Sequence, residues 1–423
     1  MRAPRWYWAY VLSNAAMGAA SPLLSLYAYY LGATAGTVGT LAAVGSLMNM
    51  VASLVWGRLL DRTRRRRVFV ALSFFGVGIA YLLLPLITQL PQLLLVNGWV
   101  AFAWMAASSV SILLVLAGFP KEHWEGEIAR FNVYCGVGWT LGLALGAGWI
   151  ALVGRALGEG WSLKSLGIIV GALALGGLLV ALREIREPRI QIEAPSFRDI
   201  AVAVGNFLYE RFRYGPVQLY DILRPSQLVR FLQGRTAFGP DLVLCYYAAM
   251  LAFGGFSIVF APFPVFVRQE LGWPSELVFA LNVVHHGVSV VAFGLARRAV
   301  ARWGHRPAAA LALLGRAGMF VGFALTTPHV ARWLLPLLWG VAGATWALFQ
   351  LSVTAIVSRL SPSGLQGQGL GIYNAVAGLG NVLGALAGGF VADFIGFPAA
   401  FLLGAMLMVV ALPILLVEGR PVS

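Results

Sequence analysis

The chain has 423 residues, of which 60% are hydrophobic and 11% charged, and its formal net charge is +14. This composition excludes an ordinary soluble protein, because water could not solvate so much apolar surface, and it indicates a membrane protein. The basic residues cluster between apolar segments and form no stripe with exposed aromatics, so we expect no nucleic-acid partner.

Apolar segments long enough to cross a bilayer recur along the whole chain. A membrane-spanning helix needs about 20 residues, whereas a barrel strand has about 10, so the segment lengths predict helices. Twelve spans are predicted, in two groups of six. In chain order they cover 6–30, 37–57, 68–88, 92–118, 131–153 and 162–182, then 242–267, 275–296, 307–327, 333–357, 369–392 and 398–417.

The distribution of lysine and arginine orients these spans. With the N-terminus inside, the inner segments hold 25 basic residues and the outer segments hold four, which are Arg155, Lys164, Arg268 and Arg332. Such a bias follows the positive-inside rule. We therefore expect a multi-pass plasma-membrane protein with both termini in the cytoplasm.

The second group of spans repeats the first at an offset of about 240 residues. Six helices return the chain to its starting side, so the two copies have the same orientation. We predict an all-α membrane protein of two six-helix bundles related by a pseudo-twofold axis, covering 1–183 and 241–423. An offset of 242 residues relates four positions of the first half to identical residues in the second. They are Trp104 and Trp346, Gly138 and Gly380, Gly142 and Gly384, and Gly146 and Gly388.

The polar stretch 184–240 separates the two groups. Within it, apolar residues recur at helical spacing: Phe197, Ile200, Ala201, Val204, Phe207 and Leu208. This pattern predicts a cytoplasmic linker with an amphipathic helix lying on the anionic inner leaflet. A solvated linker without such a helix is the alternative.

The segment between the second and third spans carries the most specific motif, GRLLDRTRRR at 57–66. It resembles the inner-loop signature of the major facilitator superfamily, with Arg64 in place of the second glycine. The stretches GQGLGIYN at 367–374 and GGFVAD at 388–393 resemble the family's sequence around its eleventh span. The resemblance implies a secondary transporter that works by alternating access.

The same resemblance implies a cytoplasmic latch. In the family, the aspartate that matches Asp61 faces the helix N-terminus at the inner end of the eleventh span, which carries partial positive charge. Nearby guanidinium groups keep this carboxylate ionised. We expect Gly57, Asp61, Arg62 and Arg65 to form the latch. The alternative is that these charges only set the topology.

A solute cavity is implied between the first, fourth, seventh and tenth spans of the resembled fold. The polar and aromatic candidates there are Asn14, Trp104, Ser108, Trp346 and Gln350. His285 and His286, within the eighth span, can carry a proton or contact an anion, or can simply form structural hydrogen bonds. Arg316 lies on a span that is peripheral in this fold, where its long side chain can snorkel inward, with a role in binding an anion as the alternative.

The two glycine rows have four-residue spacing, which places each row on one helix face. We expect Gly138, Gly142 and Gly146, and likewise Gly380, Gly384 and Gly388, to allow close helix packing, with a sliding surface as a compatible role. The family's antiporter signature has a Gly-Pro pair in the first row, whereas Leu143 follows Gly142 here. This difference argues against proton antiport.

The sequence therefore predicts a carrier that moves a small organic solute, with efflux of hydrophobic compounds slightly favoured. A proton-coupled or facilitative carrier for a nutrient or organic anion is one alternative, and a non-transporting receptor or scaffold is another. No phosphate-binding loop or metal-ligand spacing occurs, so we expect no enzyme activity, cofactor or metal. We interpret Cys135 and Cys245 as small packing residues. We expect a monomer that interacts with its solute and with membrane lipid.

Overall fold

The structure is a computed structural model that describes residues 4–62, 66–120, 123–185, 239–362 and 366–417. The predicted linker at 184–240 falls almost wholly outside these ranges. In the first half the helices are α1 (Tyr7–Tyr30), α2 (Ala35–Arg62), α3 (Arg66–Leu82), a 3-10 turn (Leu84–Leu86), α4 (Leu90–Gly118), α5 (Trp124–Leu157) and α6 (Glu159–Glu184). In the second half they are α7 (Pro240–Phe260), α8 (Phe263–Gln269), α9 (Ser275–Trp303), α10 (His305–Ala324), α11 (Pro328–Leu360), α12 (Gln366–Phe394) and α13 (Phe397–Leu416).

Eleven helical segments in the described ranges are long and apolar enough to cross a membrane. Helix α1 has 24 residues but is not among them, because it contains many tyrosine, serine and small residues. Most of α1 is buried against α5 and α6, so its polar groups face other helices and not lipid. With α1 as the twelfth crossing, the expected all-α architecture is confirmed.

The seventh crossing is broken, although the sequence predicted one continuous span at 242–267. Helix α7 ends at Phe260, and α8 begins at Phe263 after Pro262. Proline has no backbone N–H to donate, and its ring clashes with the preceding turn, so Pro262 and Pro264 together favour a break in the helix here. The two pieces still form one apolar crossing from Pro240 to Gln269.

Helix packing shows the duplication directly. In the first half, α1 packs on α5 and α6, α2 on α4, and α3 on α4 and α6. In the second half, α7 packs on α12 and α13, α9 on α11, and α10 on α11 and α13. The two halves meet through α2 with α12 and through α5 with α9, which are exchanged by the same pseudo-twofold relation.

The predicted glycine rows lie where helices approach most closely. A Cβ added to Gly138 or Gly142 would overlap the α1 carbonyl oxygens of Val11 and Ala15. In the second half, a Cβ on Gly380, Gly384 or Gly388 would overlap the α7 carbonyl oxygens of Met250, Gly254 and Ile258. Gly146 instead faces Phe279 of the other half. Only glycine permits backbones to approach this closely.

The two halves touch at one end and separate towards the other. A Cβ on Gly389 would lie 2.6 Å from the Ala35 carbonyl oxygen, and one on Gly378 would lie 3.8 Å from Met50. Further along the same helix, a Cβ on Gly371 would have no neighbour within 4 Å. We call the end at Ala35 and Gly389 the closed end and the opposite end the open end.

Candidate functional site

Trp104 of α4 and Trp346 of α11 occupy equivalent positions in the two halves. Nine residues, or about two and a half helical turns, separate Trp104 from Leu95 and Trp346 from Leu337, so each pair points to opposite faces. Leu95 is 76% exposed and Leu337 is 66% exposed, as expected for lipid-facing residues. Trp104 and Trp346 are partly buried and pack against the hydrophobic core.

The polar candidates near Trp104 differ in their surroundings. Ser108 lies one turn further along α4 and is exposed. Asn14 is buried on α1, where its side-chain amide donates a 2.8 Å hydrogen bond to the carbonyl oxygen of Tyr10 in the preceding turn. One hydrogen-bond donor of the Asn14 amide is therefore used within α1.

Aromatic rings surround Trp346 in the second half. Phe253 and Phe256 of α7 lie with ring centroids 6.2 and 6.3 Å from Trp346, both in edge-on geometry. Gln350, one turn along α11, has a weak 3.5 Å contact with Thr354, and its amide oxygen is buried without a hydrogen-bond partner among the described residues. We call Trp346, Phe253, Phe256 and Gln350 the cavity wall; it consists of three aromatic rings and one amide.

The two histidines lie where α9 meets helices of both halves. Their rings are 5.1 Å apart, and His286 lies 5.8 Å from the Trp139 ring of α5. His285 lies 5.7 Å from the Trp339 ring of α11, and its Nδ1 is buried without a partner in the described ranges. These imidazoles thus connect the inter-half contact with the core of the second half.

Arg316 does not extend to the membrane surface, contrary to the snorkelling expected from the sequence. It is 1% exposed and points from α10 into the second bundle. Its Nε donates to the Thr345 hydroxyl at 3.0 Å, and its Nη2 donates to the Ala342 carbonyl oxygen at 2.9 Å. The guanidinium carbon lies 4.4 Å from the Phe256 ring centroid. A peripheral helix can present one face inward, and hydrogen bonds with cation–π contacts stabilise the charge there.

Polar contacts join the two halves at the closed end. Glu159, the first residue of α6, forms a 2.7 Å ion pair with Arg268 and accepts a short hydrogen bond from the Ser275 hydroxyl. On the other side, the Gly36 backbone N–H donates to the Asp393 carboxylate at 2.9 Å. A pocket of about 200 Å³ lies beside the Glu159 pair. These contacts hold the two halves together at this end.

Of the predicted latch residues, Gly57, Asp61 and Arg62 belong to the open end of α2. Gly57 is within α2, and a Cβ there would have no neighbour within 4 Å. The side chains of Asp61 and Arg62, and the whole of Arg65, lie outside the described part of the chain. Their partners are therefore not described.

Two carboxylates with defined partners did not stand out in the sequence. Glu127 is buried on α5, 2.9 Å from Arg130 and 3.3 Å from the Tyr7 hydroxyl. Glu159 has as its partner Arg268, one of the few basic residues on the predicted outer side. The sequence offered one signal for Glu159, because its partner Arg268 lies on the outer side, against the positive-inside bias. No sequence signal marked Glu127.

In the described ranges, no group of three or more His, Cys, Asp or Glu residues is placed to hold a metal ion. Cys135 and Cys245 are free thiols, the second of them buried.

The amino-acid sequence matches a known family of proteins. A model described as Major Facilitator Superfamily matches residues 6–350 and 287–423. Multidrug resistance protein MdtG of Proteus mirabilis (strain HI4320) is 25% identical over 398 residues, covering 92% of this chain and 89% of that protein. The protein of the same name from Enterobacter lignolyticus (strain SCF1) is 24% identical over 412 residues, covering 94% and 87%.

Solved structures share the fold over nearly the whole chain. The crystal structure of the nucleoside transporter NupG has a TM-score of 0.68 at 15% identity, covering 97% of both chains. A POT family transporter in complex with a thioalcohol-conjugated peptide has a TM-score of 0.73 at 12% identity, covering 97% and 94%. A bacterial homologue of the lysosomal transporter Spinster, in an inward-facing and occupied conformation, has a TM-score of 0.67 at 15% identity, covering 97% and 94%.

Proposed function

This chain belongs to the major facilitator superfamily, and from that premise we propose that it exports small amphipathic organic compounds from the cytoplasm. It is a multi-pass membrane transporter, so its substrate is a small molecule. The finer statements made here concern the substrate, the direction of transport and the residues involved.

The pairing of Trp104 with Trp346 carries the proposal. The two tryptophans occupy equivalent positions on α4 and α11, each about two and a half turns from a lipid-exposed leucine. A tryptophan offers a large apolar face and a single N–H donor, which suits amphipathic ligands of varied shape. The similarity to proteins named for multidrug resistance supports the same substrate class.

The direction follows from the predicted orientation. The closed end contains the inter-half contacts of Glu159 and Asp393, and the open end carries the arginine-rich segment at 57–66. The positive-inside rule assigns the open end to the cytoplasm. In this conformation the cavity would face inward and be ready to load a compound for export.

Alternating access then requires the reverse arrangement as a second state. The contacts of Glu159 with Arg268 and of Asp393 with Gly36 would break, and the open end would close through a latch of Gly57, Asp61, Arg62 and Arg65. Each half, 1–183 and 241–423, would move as a unit, and we propose that a monomer suffices for the cycle.

Flux through proteoliposomes tests this proposal. Vesicles containing the purified protein would be loaded with a fluorescent amphipathic dye, and its movement would be measured with and without a pH gradient. We expect protein-dependent dye flux that falls in Trp104→Ala and Trp346→Ala variants. It should persist in Trp333→Ala, since Trp333 is 81% exposed and far from the wall.

Several outcomes would change the proposal. Binding of dyes without flux would favour a receptor or scaffold on the same fold. Flux that responds to a pH gradient would show proton coupling, for which His285 and His286 are the candidates. Equal losses in the Trp104 and Trp333 variants would remove the assigned site.

A further inference from the structure

Arg316 carries a buried positive charge without a carboxylate partner in the described part of the chain. A guanidinium group remains charged in proteins and has five N–H donors. The two acceptors described above, the Thr345 hydroxyl and the Ala342 carbonyl oxygen, are both neutral. Burying a charge is costly unless it is compensated. Three aromatic rings supply part of the compensation, with centroids 4.4, 5.4 and 5.9 Å from the guanidinium carbon; they belong to Phe256, Phe260 and Trp346.

The fold itself does not require this charge. The matching contact in the first half packs α3 against α4 and uses small residues. A Cβ on Gly76 would lie 3.0 Å from the Cβ of Ala103, and Ala103 is the counterpart of Thr345 at the repeat offset of 242. Helix α3 has no charged residue after Arg67. The α3–α4 pair of the first half therefore packs without a buried cation, whereas the α10–α11 pair of the second half contains one. Because the helix pairing does not need the charge of Arg316, we consider a role for it in substrate selection.

The position of Arg316 relative to the cavity wall suits such a role. Its guanidinium carbon lies 5.9 Å from the ring centroid of Trp346. In the low effective dielectric of a protein interior, a unit charge acts strongly over such a distance. His285 and the indole N–H of Trp339 lie in the same region, and His285 Nδ1 and Trp339 Nε1 are buried without partners among the described residues.

Among the residues that the structure describes, no negatively charged side chain opposes Arg316 at this depth. The carboxylates of the described ranges lie near helix ends, such as Glu127 and Glu159 in the first half and Asp241 and Asp393 in the second. An organic cation bound against Trp346 would meet a fixed positive charge without a compensating carboxylate. An organic anion at the same place would meet a favourable field and unpaired hydrogen-bonding groups.

We propose that the cluster of Arg316, Phe256, Phe260, Trp339, Trp346 and His285 makes the substrate site selective for organic anions, an acid group carried on an apolar body, over organic cations. The proposal rests on the proposed transport function, since it names the substrate class for the same cavity. Aromatic rings bind the apolar body, while the buried guanidinium sets the preferred sign of charge.

A matched set of probes tests the sign preference. Naphthoate, naphthamide and naphthylmethylammonium share one aromatic body and differ in charge. Their affinities for the full-length protein in lipid nanodiscs would be measured by isothermal titration calorimetry. We expect naphthoate to bind at least about tenfold tighter than the ammonium compound. Arg316→Gln should weaken naphthoate at least about tenfold and leave naphthamide within about twofold.

Two further variants keep the test decisive. Arg316→Lys retains the charge and should retain the order of affinities. Thr345→Val removes one acceptor of Arg316 but no charge, so it should also keep the anion preference. If Arg316→Gln does not fold, the order of the three probes on the wild-type and Arg316→Lys proteins still decides.

The proposal is overturned if the ammonium compound binds the wild-type protein as tightly as naphthoate, if none of the probes binds, or if Arg316→Gln leaves naphthoate affinity unchanged. Flux of the same probes in proteoliposomes separates the two proposals. Equal flux of all three would support transport and overturn anion selectivity. Anion-selective binding without flux would support the selective site and contradict transport.

Discussion

The carboxylate of Glu159 and the guanidinium of Arg268 form a 2.7 Å ion pair that joins the first half of the chain to the second. Both side chains are partly exposed, so the pair contributes only about 0.5–1 kcal/mol. That energy favours the conformation in which this end is closed. Glu159→Gln should therefore increase the population of the oppositely open state about two- to fivefold.

Spin labels at Leu157 and Leu277, on opposite sides of the contact, would measure this change as a longer inter-label distance in pulsed electron spin resonance. The labelled protein would need Cys135 and Cys245 replaced. Glu276→Gln is the matched control, because Glu276 lines the same pocket without an ion pair in the described ranges. Identical distance distributions in the Glu159 and Glu276 variants would contradict the assigned contact.

Gly389 allows α12 to meet α2 at the closed end. A side chain there would lie 2.6 Å from the Ala35 carbonyl oxygen and 2.9 Å from the Cα of Gly36. Gly389→Leu should hold the two halves apart at this end and abolish transport while the protein still inserts. Gly318→Leu, at an exposed position of α10 where a Cβ has no neighbour within 4 Å, should leave flux unchanged. Normal flux in the Gly389 variant would show that this end never closes so tightly.

Gly142 supports the first half in a different way, through the packing of α5 on α1. A methyl group there would overlap the Ala15 carbonyl oxygen, and the backbones would have to separate. We expect Gly142→Ala to cost about 1–3 kcal/mol and to lower the apparent melting temperature in detergent. Gly148→Ala, on the same helix and without a neighbour within 4 Å, should not lower it. Equal melting temperatures would mean that α1 can shift without cost.

A substitution of Asp61 tests the proposed second state, in which the open end is closed. Helices α2 and α12 are apart at the open end, so a latch there would form only after the halves rock. Asp61→Asn removes a charge that a helix N-terminus would stabilise by about 1 kcal/mol. Transport should slow about two- to fivefold, with unchanged membrane levels on immunoblots, and Asp61→Glu should restore part of the rate. Wild-type rates in Asp61→Asn would support a topological role alone.

The sequence could predict the crossings, their duplication and the close helix packing, because each depends on local patterns. Apolar length marks the helices, and the repeat offset relates Gly142 to Gly384. It could not predict that the α9 helix extends past its apolar segment to Trp303, since a helix continues beyond the hydrocarbon once it has formed. The break at Pro262 was readable in principle, but hydropathy outweighed it.

The candidate site was less accessible from the sequence. Trp104 and Trp346 followed from the repeat, whereas the surroundings of Arg316 did not. A helix at the periphery has one face towards lipid and one towards the bundle, and sequence position alone did not tell which face carries Arg316. Its contacts with Thr345 of α11 and Phe256 of α7 are tertiary, between different helices. The Glu159–Arg268 pair is tertiary for the same reason.

The deep burial of α1 has a consequence for how the protein enters the membrane. Its polar face is sheltered by α5 and α6, which the ribosome makes only after three intervening crossings. Until then, Asn14 and the tyrosines of α1 would have to be accommodated by the insertion machinery or by the bilayer interface. We expect chains truncated after α4 to hold their first helix poorly in the bilayer, so that the amino-terminal crossing becomes secure late in biogenesis.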